Sequence, residues 1–374
     1  MNTKVIANLT PAHFDHEYDY FTFEKIRMHD RSKYRFILIY LQQKSDLPNQ
    51  METDGFPCFY LFQKHQKVRL ISAVFKLLKI LKENRVDLIH AHNRVCIVCA
   101  VWAAVFLTHV KVLAHVHSFN LVRKPKRKLF YRLLGRRIDC LAGCSDSVTT
   151  SVKTKISGIA PEKFTTIPNS INIERYSTPT AERQTVRAEW NFAPEHFVFL
   201  GLGRLAEEKG FDCLIRAFKP VYEQHPNARL LIAGEGPERN RLTELIQTLE
   251  LQSAVFLAGF RKDAPNLLHA ADCFVLSSLK EPFGLVVLEA IAARCPVIAA
   301  DSGGVRNILS SPMFGTLVQP ADEKQMTSAM LRILKAPPEQ LKKQSEAALA
   351  VFETFSHKSA VCFTESLYEK LTGA

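Results

Sequence analysis

The chain has 374 residues, of which 47% are hydrophobic and 23% are charged, and its formal net charge is +12. A chain of this length is expected to form two hydrophobic cores rather than one. Its nine cysteines are odd in number and lie mostly in apolar segments, which argues against a disulfide framework and predicts a reducing cytoplasm. Cys96 and Cys99 lack the second pair that a zinc site would need. The first apolar run is too short for a signal sequence.

Short apolar runs alternate with helical stretches in both halves of the chain, which predicts parallel sheets covered by helices on both faces. The strands expected in the first half are residues 5–9, 35–41, 88–91, 112–116 and 140–142. Those expected in the second half are residues 197–200, 229–232, 255–257, 273–276, 296–300 and 316–318. The sequence therefore predicts an α/β protein with doubly wound parallel-sheet domains at residues 1–178 and 185–355, joined by a polar linker.

The positive charge is concentrated in the first half of the chain. Residues 1–180 carry 28 Lys and Arg against 14 Asp and Glu, whereas residues 181–374 carry 21 against 23. From Arg123 to Arg137 there are eight basic residues and no acidic one, with Leu and Phe between them. Such a helix can lie on an anionic membrane surface. The alternatives are an ordinary solvated basic helix and a nucleic-acid site, for which no recognisable motif is present.

An uninterrupted apolar run of thirteen residues covers positions 95–107. A membrane-spanning helix needs about twenty such residues. We therefore expect a buried helix after the 88–91 strand.

Two His-x-His pairs stand at strand ends in the first half, His90 with His92 and His115 with His117. Alternate residues of a strand point the same way, so the members of each pair share a face. Such pairs can bind a metal ion, but no acidic or cysteine partner is near in sequence. A histidine at a strand end can also be a hydrogen-bonded structural residue.

A glycine-rich loop from Gly201 to Gly210 follows the 197–200 strand and reads Gly-Leu-Gly-Arg-Leu-Ala-Glu-Glu-Lys-Gly. Its glycines let the backbone approach a ligand closely. Arg204 and Lys209 place two cations at the carboxyl end of a strand, where open α/β sheets bind ligands. Two fixed cations at that point would stabilise a diphosphate.

A pair of carboxylates, Glu281 and Glu289, lies in the segment Glu-Pro-Phe-Gly-Leu-Val-Val-Leu-Glu after the 273–276 strand. A turn at Phe283 and Gly284 leads into a helix expected to start at Leu285. The free amides at a helix start suit a phosphate, and Glu289 would lie roughly 8 Å further on. A molecule with a diphosphate in its middle, such as a nucleotide sugar, fits this spacing.

The two motifs resemble those of the retaining glycosyltransferases of family four, which have a Gly-x-Gly-Arg…Lys-Gly loop and a Glu-x7-Glu signature on the two-domain GT-B fold. That fold has two Rossmann-like domains facing a central cleft. The resemblance implies that Arg204 and Lys209 grip the donor diphosphate. It places Glu281 near the donor sugar and Glu289 near the ribose hydroxyls. The other nucleotide-binding positions that it implies are Gly234, Gly259, Phe260, Phe283, Gly284 and Leu285.

In the first domain, the resemblance implies that His117 faces the reacting sugar through its ring or main chain. It also implies that a last helix, at about residues 356–374, crosses back to that domain. The chain departs from the family at Asn307, where members often have an acidic residue. It departs again after the first strand, where a polar loop that could meet the acceptor or lie on the surface replaces a Gly-Gly turn: His13, Asp15, His16 and Glu17.

The sequence thus predicts a retaining glycosyltransferase that moves a sugar from a nucleoside-diphosphate sugar to a hydroxyl of a growing surface glycan or lipid-linked saccharide. A UDP-sugar is the donor expected first. Glu281, His117, Arg204 and Lys209 are the expected catalytic residues. The two cations can replace a metal ion and no Asp-x-Asp motif occurs, so no metal and no cofactor besides the nucleotide sugar are expected. No nucleic-acid partner is expected either. The expected location is the cytoplasm, with possible association at the inner face of the cell membrane.

Three alternatives remain open at this stage. A sugar-nucleotide epimerase of the same fold would use the same donor grip. A metal-dependent hydrolase would use the His-x-His pairs, and a non-catalytic protein would use the basic segment to bind a membrane.

Overall fold

A computed structural model describes residues 3–13, 20–43, 49–122 and 125–373, with only the backbone described at residues 13 and 20–23. The chain divides into two compact units. The first comprises Met1–Ser170 and His357–Ala374, and the second comprises Ile171–Ser356.

The first unit is built on a seven-stranded sheet in which every pair of neighbouring strands is parallel. Its strand order is β3-β2-β1-β4-β5-β6-β7. The strands are β1 (Lys4–His13), β2 (Tyr34–Gln43), β3 (Cys58–Phe62), β4 (Leu88–His92), β5 (Lys111–Val116), β6 (Cys140–Gly143) and β7 (Phe164–Thr166).

Helices connect successive strands of this sheet, because a parallel pair cannot be joined by a tight hairpin. They are α1 (Tyr20–Met28), α2 (Gln50–Thr53), α3 (Leu70–Glu83), α4 (Asn93–Phe106), α5 (Pro125–Leu134) and α6 (Asp146–Lys153). The expected apolar helix forms α4, and half of its residues are buried. Within the described residues, no helix is both long enough and apolar enough to cross a membrane.

The second unit contains a six-stranded parallel sheet with the order β10-β9-β8-β11-β12-β13. Its strands are β8 (Phe197–Leu202), β9 (Ala228–Ala233), β10 (Val255–Gly259), β11 (Cys273–Leu276), β12 (Val297–Ala300) and β13 (Thr316–Val318). The two innermost strands, β8 and β11, are almost wholly buried, as a sheet covered on both faces requires.

Three helices of the second unit, at residues 211–224, 239–248 and 323–335, share one apolar core with its sheet. The helices of this unit are α7 (Ile173–Ser177), α8 (Arg183–Ala188), α9 (Phe211–Gln224), α10 (Arg239–Thr248), α11 (Ala264–Ala270), α12 (Leu285–Ala292), α13 (Val305–Ile308), α14 (Glu323–Lys335), α15 (Pro338–Ala348) and α16 (Phe352–Phe355). Short α7 packs against α11 and α12, and this contact assigns it to the second unit.

The last helix, α17 (His357–Thr372), belongs to the first unit, where it packs against α1. Tyr368 on α17 is 1% exposed and hydrogen-bonds His90 of β4 at 2.8 Å. His357 hydrogen-bonds Ser170 at 2.9 Å and Glu24 of α1 at 3.1 Å. These polar contacts fasten α17 to the first unit.

The predicted fold class, two doubly wound parallel-sheet domains, is confirmed by the two sheets. All eleven expected strands form, and β3 and β7 are additional. The two units meet along the chain at residue 170, whereas the sequence-based boundary was 178. The difference arises because α7 packs on helices of the second unit.

Candidate functional site

The strand order of the second sheet reverses direction between β8 and β11. From β8 the chain proceeds outward to β9 and β10, and from β11 it proceeds outward to β12 and β13. In open α/β sheets, ligands bind in the crevice outside the carboxyl ends of the strands at such a switch point. The loops that follow β8 and β11 carry Arg204, Lys209 and Glu281. The topology therefore places both sequence motifs at the position where a ligand is expected.

The β8 and β11 loops lie directly against each other. Ser277 donates a hydrogen bond from Oγ to the Lys209 carbonyl at 2.9 Å, and the Leu279 amide donates to the Glu208 carbonyl at 2.9 Å. Gly210 has φ +62°, and a Cβ atom there would lie 2.4 Å from the Ser277 carbonyl oxygen. No side chain fits at that distance, so glycine is required where the loop turns into α9.

An ion pair between Lys209 and Glu281 joins the two loops. Lys209 Nζ lies 2.6 Å from Glu281 Oε2, and the Lys209 and Glu281 side chains are 22% and 10% exposed. Ser278 donates a second hydrogen bond to the same carboxylate oxygen at 3.1 Å. We call this contact the switch-point ion pair. It positions both charged groups at the edge of the sheet before any ligand binds.

The start of α12 lies beside this ion pair. Gly284 caps the helix and Leu285 is its first residue. A Cβ atom on Gly284 would lie 3.7 Å from Glu281 Cγ, which shows how close the helix start is to the carboxylate side chain. The Glu281 carbonyl accepts a hydrogen bond from the Gly304 amide at 3.1 Å, so the loop after β12 joins the same cluster.

Arg204 belongs to the same loop as Lys209, but its guanidinium has a different partner. It pairs with Glu208 at 2.6 Å, and the Arg204 and Glu208 side chains are 64% and 47% exposed. A hydrogen bond to its own backbone, and then this contact with Arg204, lower the pKa of Glu208. Arg204 is therefore a surface group near the edge of the sheet, free to change partner at small cost.

Two predicted positions on α12 and in its preceding turn are buried. Glu289 is 7% exposed on the helix. Phe283 is 3% exposed, and its ring centroid lies 5.7 Å from that of Phe355 in an edge-on contact. Its side chain thus belongs to the core of the unit, which leaves its main chain for the predicted ligand contact.

The remaining predicted positions lie in the loops after β9 and β10. The Gly234 amide donates to the Gly259 carbonyl at 2.8 Å. Gly234 has φ +151°, and a Cβ atom there would lie 1.8 Å from the Gly203 carbonyl oxygen. The β9 loop is therefore packed on the β8 loop. Phe260, after β10, is 62% exposed.

Sequence reasoning missed the side chains that support the switch-point ion pair. Ser278 hydrogen-bonds Glu281, Ser277 holds the Lys209 backbone, and Glu208 pairs with Arg204. A signal for the first two was present, because two hydroxyl side chains directly follow a buried apolar strand.

In the first unit, four histidines form one array on a single face of the sheet: His90 and His92 of β4, and His115 and His117 at the end of β5. His92 is paired in register with His115. Burial lowers the pKa of the first three far below the usual range, and burial together with Lys25 lowers the pKa of His117 to about 4. The four-histidine array is therefore uncharged at neutral pH.

Three members of the array, His90, His92 and His115, have potential metal-ligand atoms within 4.8 Å of one another. This juxtaposition is closer than the sequence suggested, because adjacent strands bring the two His-x-His pairs together. The ring nitrogens are also hydrogen-bonded to each other, since His90 Nε2 lies 3.3 Å from His115 Nδ1 and His92 Nδ1 lies 3.1 Å from His117 Nε2.

The basic segment forms α5, in which Leu129 and Leu133 are 54% and 60% exposed. Arg123 and Lys124 lie outside the described residues, as do residues 14–19 of the polar loop after β1. The side chain of His13 is likewise outside the described part.

Two family models match the chain. Residues 21–175 match the model described as Glycosyltransferase Family 4, and residues 182–350 match the one described as Glycosyl transferases group 1. An uncharacterised glycosyltransferase of Methanocaldococcus jannaschii, MJ1059, is 30% identical over 255 residues, which cover 64% of this chain and 62% of that relative. The chain therefore spans less than two thirds of that relative's length.

A second relative has a named reaction. The UDP-Gal:alpha-D-GlcNAc-diphosphoundecaprenol alpha-1,3-galactosyltransferase of Escherichia coli is 26% identical over 275 residues, which cover 71% of each chain.

The fold recurs in the crystal structure of Anabaena Alr3699/HepE in complex with UDP and glucose. The TM-score is 0.80 at 21% identity, and the superposition covers 100% of both chains. The two family models together span most of the chain, and both parallel-sheet units agree with the GT-B fold. The chain therefore belongs to the glycosyltransferases of family four, and has the GT-B fold of that family.

Proposed function

We propose that this protein is a retaining glycosyltransferase. It takes a sugar from a nucleoside-diphosphate sugar, namely a UDP-sugar, and adds it to a hydroxyl of a growing saccharide. The observation that carries the proposal is the switch-point ion pair beside the start of α12. A lysine, a carboxylate and a helix N-terminus meet there at the edge of a doubly wound sheet. Family membership supports glycosyl transfer as the reaction.

The donor diphosphate is assigned to the amide groups at the start of α12 and to Lys209. Helix N-terminal amides and a nearby ammonium both stabilise negative charge. Lys209 is already paired with Glu281, so the diphosphate would share that ammonium rather than meet a free one. Arg204 would exchange its exposed contact with Glu208 for the diphosphate, which costs little because exposed ion pairs are weak.

Departure of the nucleoside diphosphate would leave an oxocarbenium-like sugar, and the acceptor hydroxyl would attack from the face that the diphosphate left. A leaving-group oxygen can accept the hydroxyl proton, so the reaction does not require a strong base. Glu281 is held by Lys209 and Ser278, which gives its carboxylate a fixed orientation toward developing positive charge. With Lys209 and Arg204 at the diphosphate, we propose that no metal ion is needed.

Two similar proteins guide the choice of donor and acceptor. The Anabaena structure contains UDP and glucose, and the Escherichia coli relative is named for a UDP-galactose donor and a diphosphoundecaprenol-linked acceptor. We propose the same classes here: a UDP-sugar, and either a lipid-linked saccharide or a lipopolysaccharide core as acceptor.

A lipid-linked acceptor requires access to a membrane, and the first unit offers a suitable surface. The described residues of α5 include four basic residues and no acidic one. Leu129 and Leu133 are one helical turn apart and exposed, and Phe106 on α4 is 63% exposed. Arg137, just after α5, hydrogen-bonds the Ala104 carbonyl of α4 and so ties the two helices together. We propose that this face binds anionic phospholipid at the inner side of the cell membrane.

The donor proposal is tested by thermal unfolding with a panel of nucleotide sugars. A UDP-sugar at a hundred times its Kd should stabilise the protein by about 2.7 kcal/mol. The Lys209→Ala variant should lose this shift, whereas Lys219→Ala, on the exterior of α9, should keep it. No stabilisation by any nucleotide sugar would refute the donor assignment.

The reaction is tested by NMR of the product anomer formed from a UDP-sugar with an α-linked anomeric carbon. Retention predicts an α-linked product. Epimerised UDP-sugar in the absence of acceptor would instead identify an epimerase. Loss of activity in a chelator would indicate a metal-dependent enzyme.

Membrane binding is tested by co-sedimentation with vesicles of phosphatidylglycerol and of phosphatidylcholine. Binding is expected only to the anionic vesicles, and the Leu129→Ser, Leu133→Ser double variant should weaken it. Met313→Ser provides the control, because Met313 is 64% exposed and lies in the second unit. Equal sedimentation of all three proteins would contradict the assignment.

A further inference from the structure

The four-histidine array of the first unit is organised into two separate hydrogen-bonded chains. One contains Tyr368, His90, His115 and the carbonyl of Ile167, joined at 2.8, 3.3 and 3.3 Å. The other contains Asn8 and His92, joined at 3.3 Å, and continues to His117 at 3.1 Å. Only the second chain reaches His117.

The direction of the first chain follows from chemistry. A carbonyl oxygen can only accept, so His115 donates to Ile167 from Nε2 and must accept at Nδ1. His90 therefore donates from Nε2 and accepts from the Tyr368 hydroxyl at Nδ1. These directions hold for neutral rings, and burial keeps both imidazoles neutral by lowering their pKa well below the usual value. Each ring nitrogen has a partner.

The same reasoning sets the direction of the second chain. The Asn8 amide faces His92 with its Nδ2 group, which donates to His92 Nε2. His92 must then donate from Nδ1 to His117 Nε2. Because burial keeps the ring neutral and Nε2 accepts from His92, His117 is the tautomer with its proton on Nδ1.

We propose that His92 and Asn8 are positioning residues that fix the tautomer and ring orientation of His117. The inference rests on the proposed function in that His117 is the histidine expected to face the reacting sugar. With Nε2 occupied by the His92 N–H and Nδ1 already protonated, the imidazole takes no proton from the acceptor. Its contribution is to hold a neutral ring and the adjoining main chain in a single orientation beside the sugar.

Burial supports this role. Asn8 and His92 are 3% and 8% exposed, so their hydrogen bonds are shielded from water. The lowered pKa of His117, about 4, keeps the ring neutral at physiological pH. Asn8 Oδ1 is buried and has no hydrogen-bond partner among the described residues, so the amide is held mainly by His92.

The geometry favours hydrogen-bonded chains over metal coordination. The rings of His90 and His92 stack with centroids 4.3 Å apart at 29°, and those of His115 and His117 lie 4.2 Å apart at 37°. His90 Nε2 and His115 Nδ1 face each other at 3.3 Å, and His92 Nδ1 faces His117 Nε2 at 3.1 Å, so a metal ion would have to replace these hydrogen bonds.

The tautomer is measured directly by 15N NMR of the full-length protein labelled at histidine. Wild type should show His117 protonated on Nδ1, without any substrate present. His92→Leu removes the donor and should change this pattern, whereas His92→Asn keeps an N–H close to the position of Nδ1 and should restore it. His90→Gln is the matched control, because it disturbs the other chain and should leave the His117 signals in place.

The kinetic test uses the same variants with a UDP-sugar and an acceptor. His92→Leu should lower kcat by roughly tenfold to a hundredfold, as expected for loss of orientation at a reacting centre. KM for the UDP-sugar should stay within about twofold, because the diphosphate is assigned to the second unit. His92→Asn should recover most of kcat, and His90→Gln should remain near wild type.

A wild-type His117 protonated on Nε2, or an unchanged His117 pattern in His92→Leu, would overturn the inference. So would stoichiometric zinc that is lost in both the His92 and His90 variants, since the nitrogens would then be ligands. Absence of any transfer by wild type would refute the proposed function alone, because the tautomer measurement needs no activity.

Discussion

Substitution of the two members of the switch-point ion pair should change the affinity for UDP in opposite directions. In Glu281→Gln, the amide oxygen can still accept from Ser278 and Lys209, but the Lys209 ammonium is no longer neutralised. A fuller positive charge at the diphosphate position should strengthen UDP binding by about threefold to tenfold, which corresponds to about 0.7–1.4 kcal/mol. The same variant should transfer sugar more slowly, because the carboxylate that faces the developing positive charge is gone.

Lys209→Met should weaken UDP binding and also slow sugar transfer. It removes one cation from the leaving group, a loss that typically costs about a hundredfold or more in kcat. It also strands the Glu281 carboxylate, whose side chain is only 10% exposed. Exposed pairs couple by less than about 1 kcal/mol, and breaking a buried pair costs about 3–5 kcal/mol. This partly exposed pair should therefore show a coupling free energy of about 2 kcal/mol.

The assays are isothermal titration with UDP and a double-mutant cycle of unfolding free energies. The control is the Arg204–Glu208 pair, which is far more exposed and should couple by less than about 1 kcal/mol. If Glu281→Gln binds UDP more weakly than wild type, the ion pair does not limit the charge available to the diphosphate. If the losses of unfolding free energy in the Lys209 and Glu281 variants are additive, the two side chains are not coupled.

Three further predictions concern stability and are measured by urea unfolding. Gly234→Ala should lower the unfolding free energy by about 3 kcal/mol or more, since its Cβ would lie 1.8 Å from the Gly203 carbonyl oxygen. The control Gly55→Ala, with open space around its Cβ, should lower it by about 1 kcal/mol. Equal losses in the two variants would contradict the predicted clash at Gly234. Burial lowers the pKa of every ring in the four-histidine array, whereas histidines of the unfolded chain keep a pKa near about 6.5. The unfolded chain therefore binds more protons below that pH, so the unfolding free energy should fall by about 2 kcal/mol or more from pH 7 to pH 5 and stay level above pH 7. An unfolding free energy that does not change between pH 7 and pH 5 would count against this prediction. Arg187 is 2% exposed and lies 2.5 Å from Asp272, so Arg187→Met should cost about 3–5 kcal/mol, and adding Asp272→Asn should recover part of that loss.

Much of the fold was readable because inner strands are buried on both faces. Each central strand is a continuous apolar run, so β8 and β11 were expected within two residues of their observed bounds. The strands that went unpredicted, β3 and β7, lie at the edges of the first sheet and are mostly half-buried. β7 reads Phe-Thr-Thr and is only three residues long, so no apolar run marked it. β3 is a continuous apolar run of five residues, so its signal was present in the sequence and was overlooked.

The α/β class, the two-sheet organisation and the choice of loops that carry the site followed from local patterns: apolar runs, glycine turns and charges next to strand ends. Pairing across long stretches of sequence was decided only by the tertiary structure. Lys209 and Glu281 are 72 positions apart, and His90 and His115 are 25 apart. They meet because parallel strands place their carboxyl ends at one edge, and which strands are neighbours depends on the packing of the whole sheet.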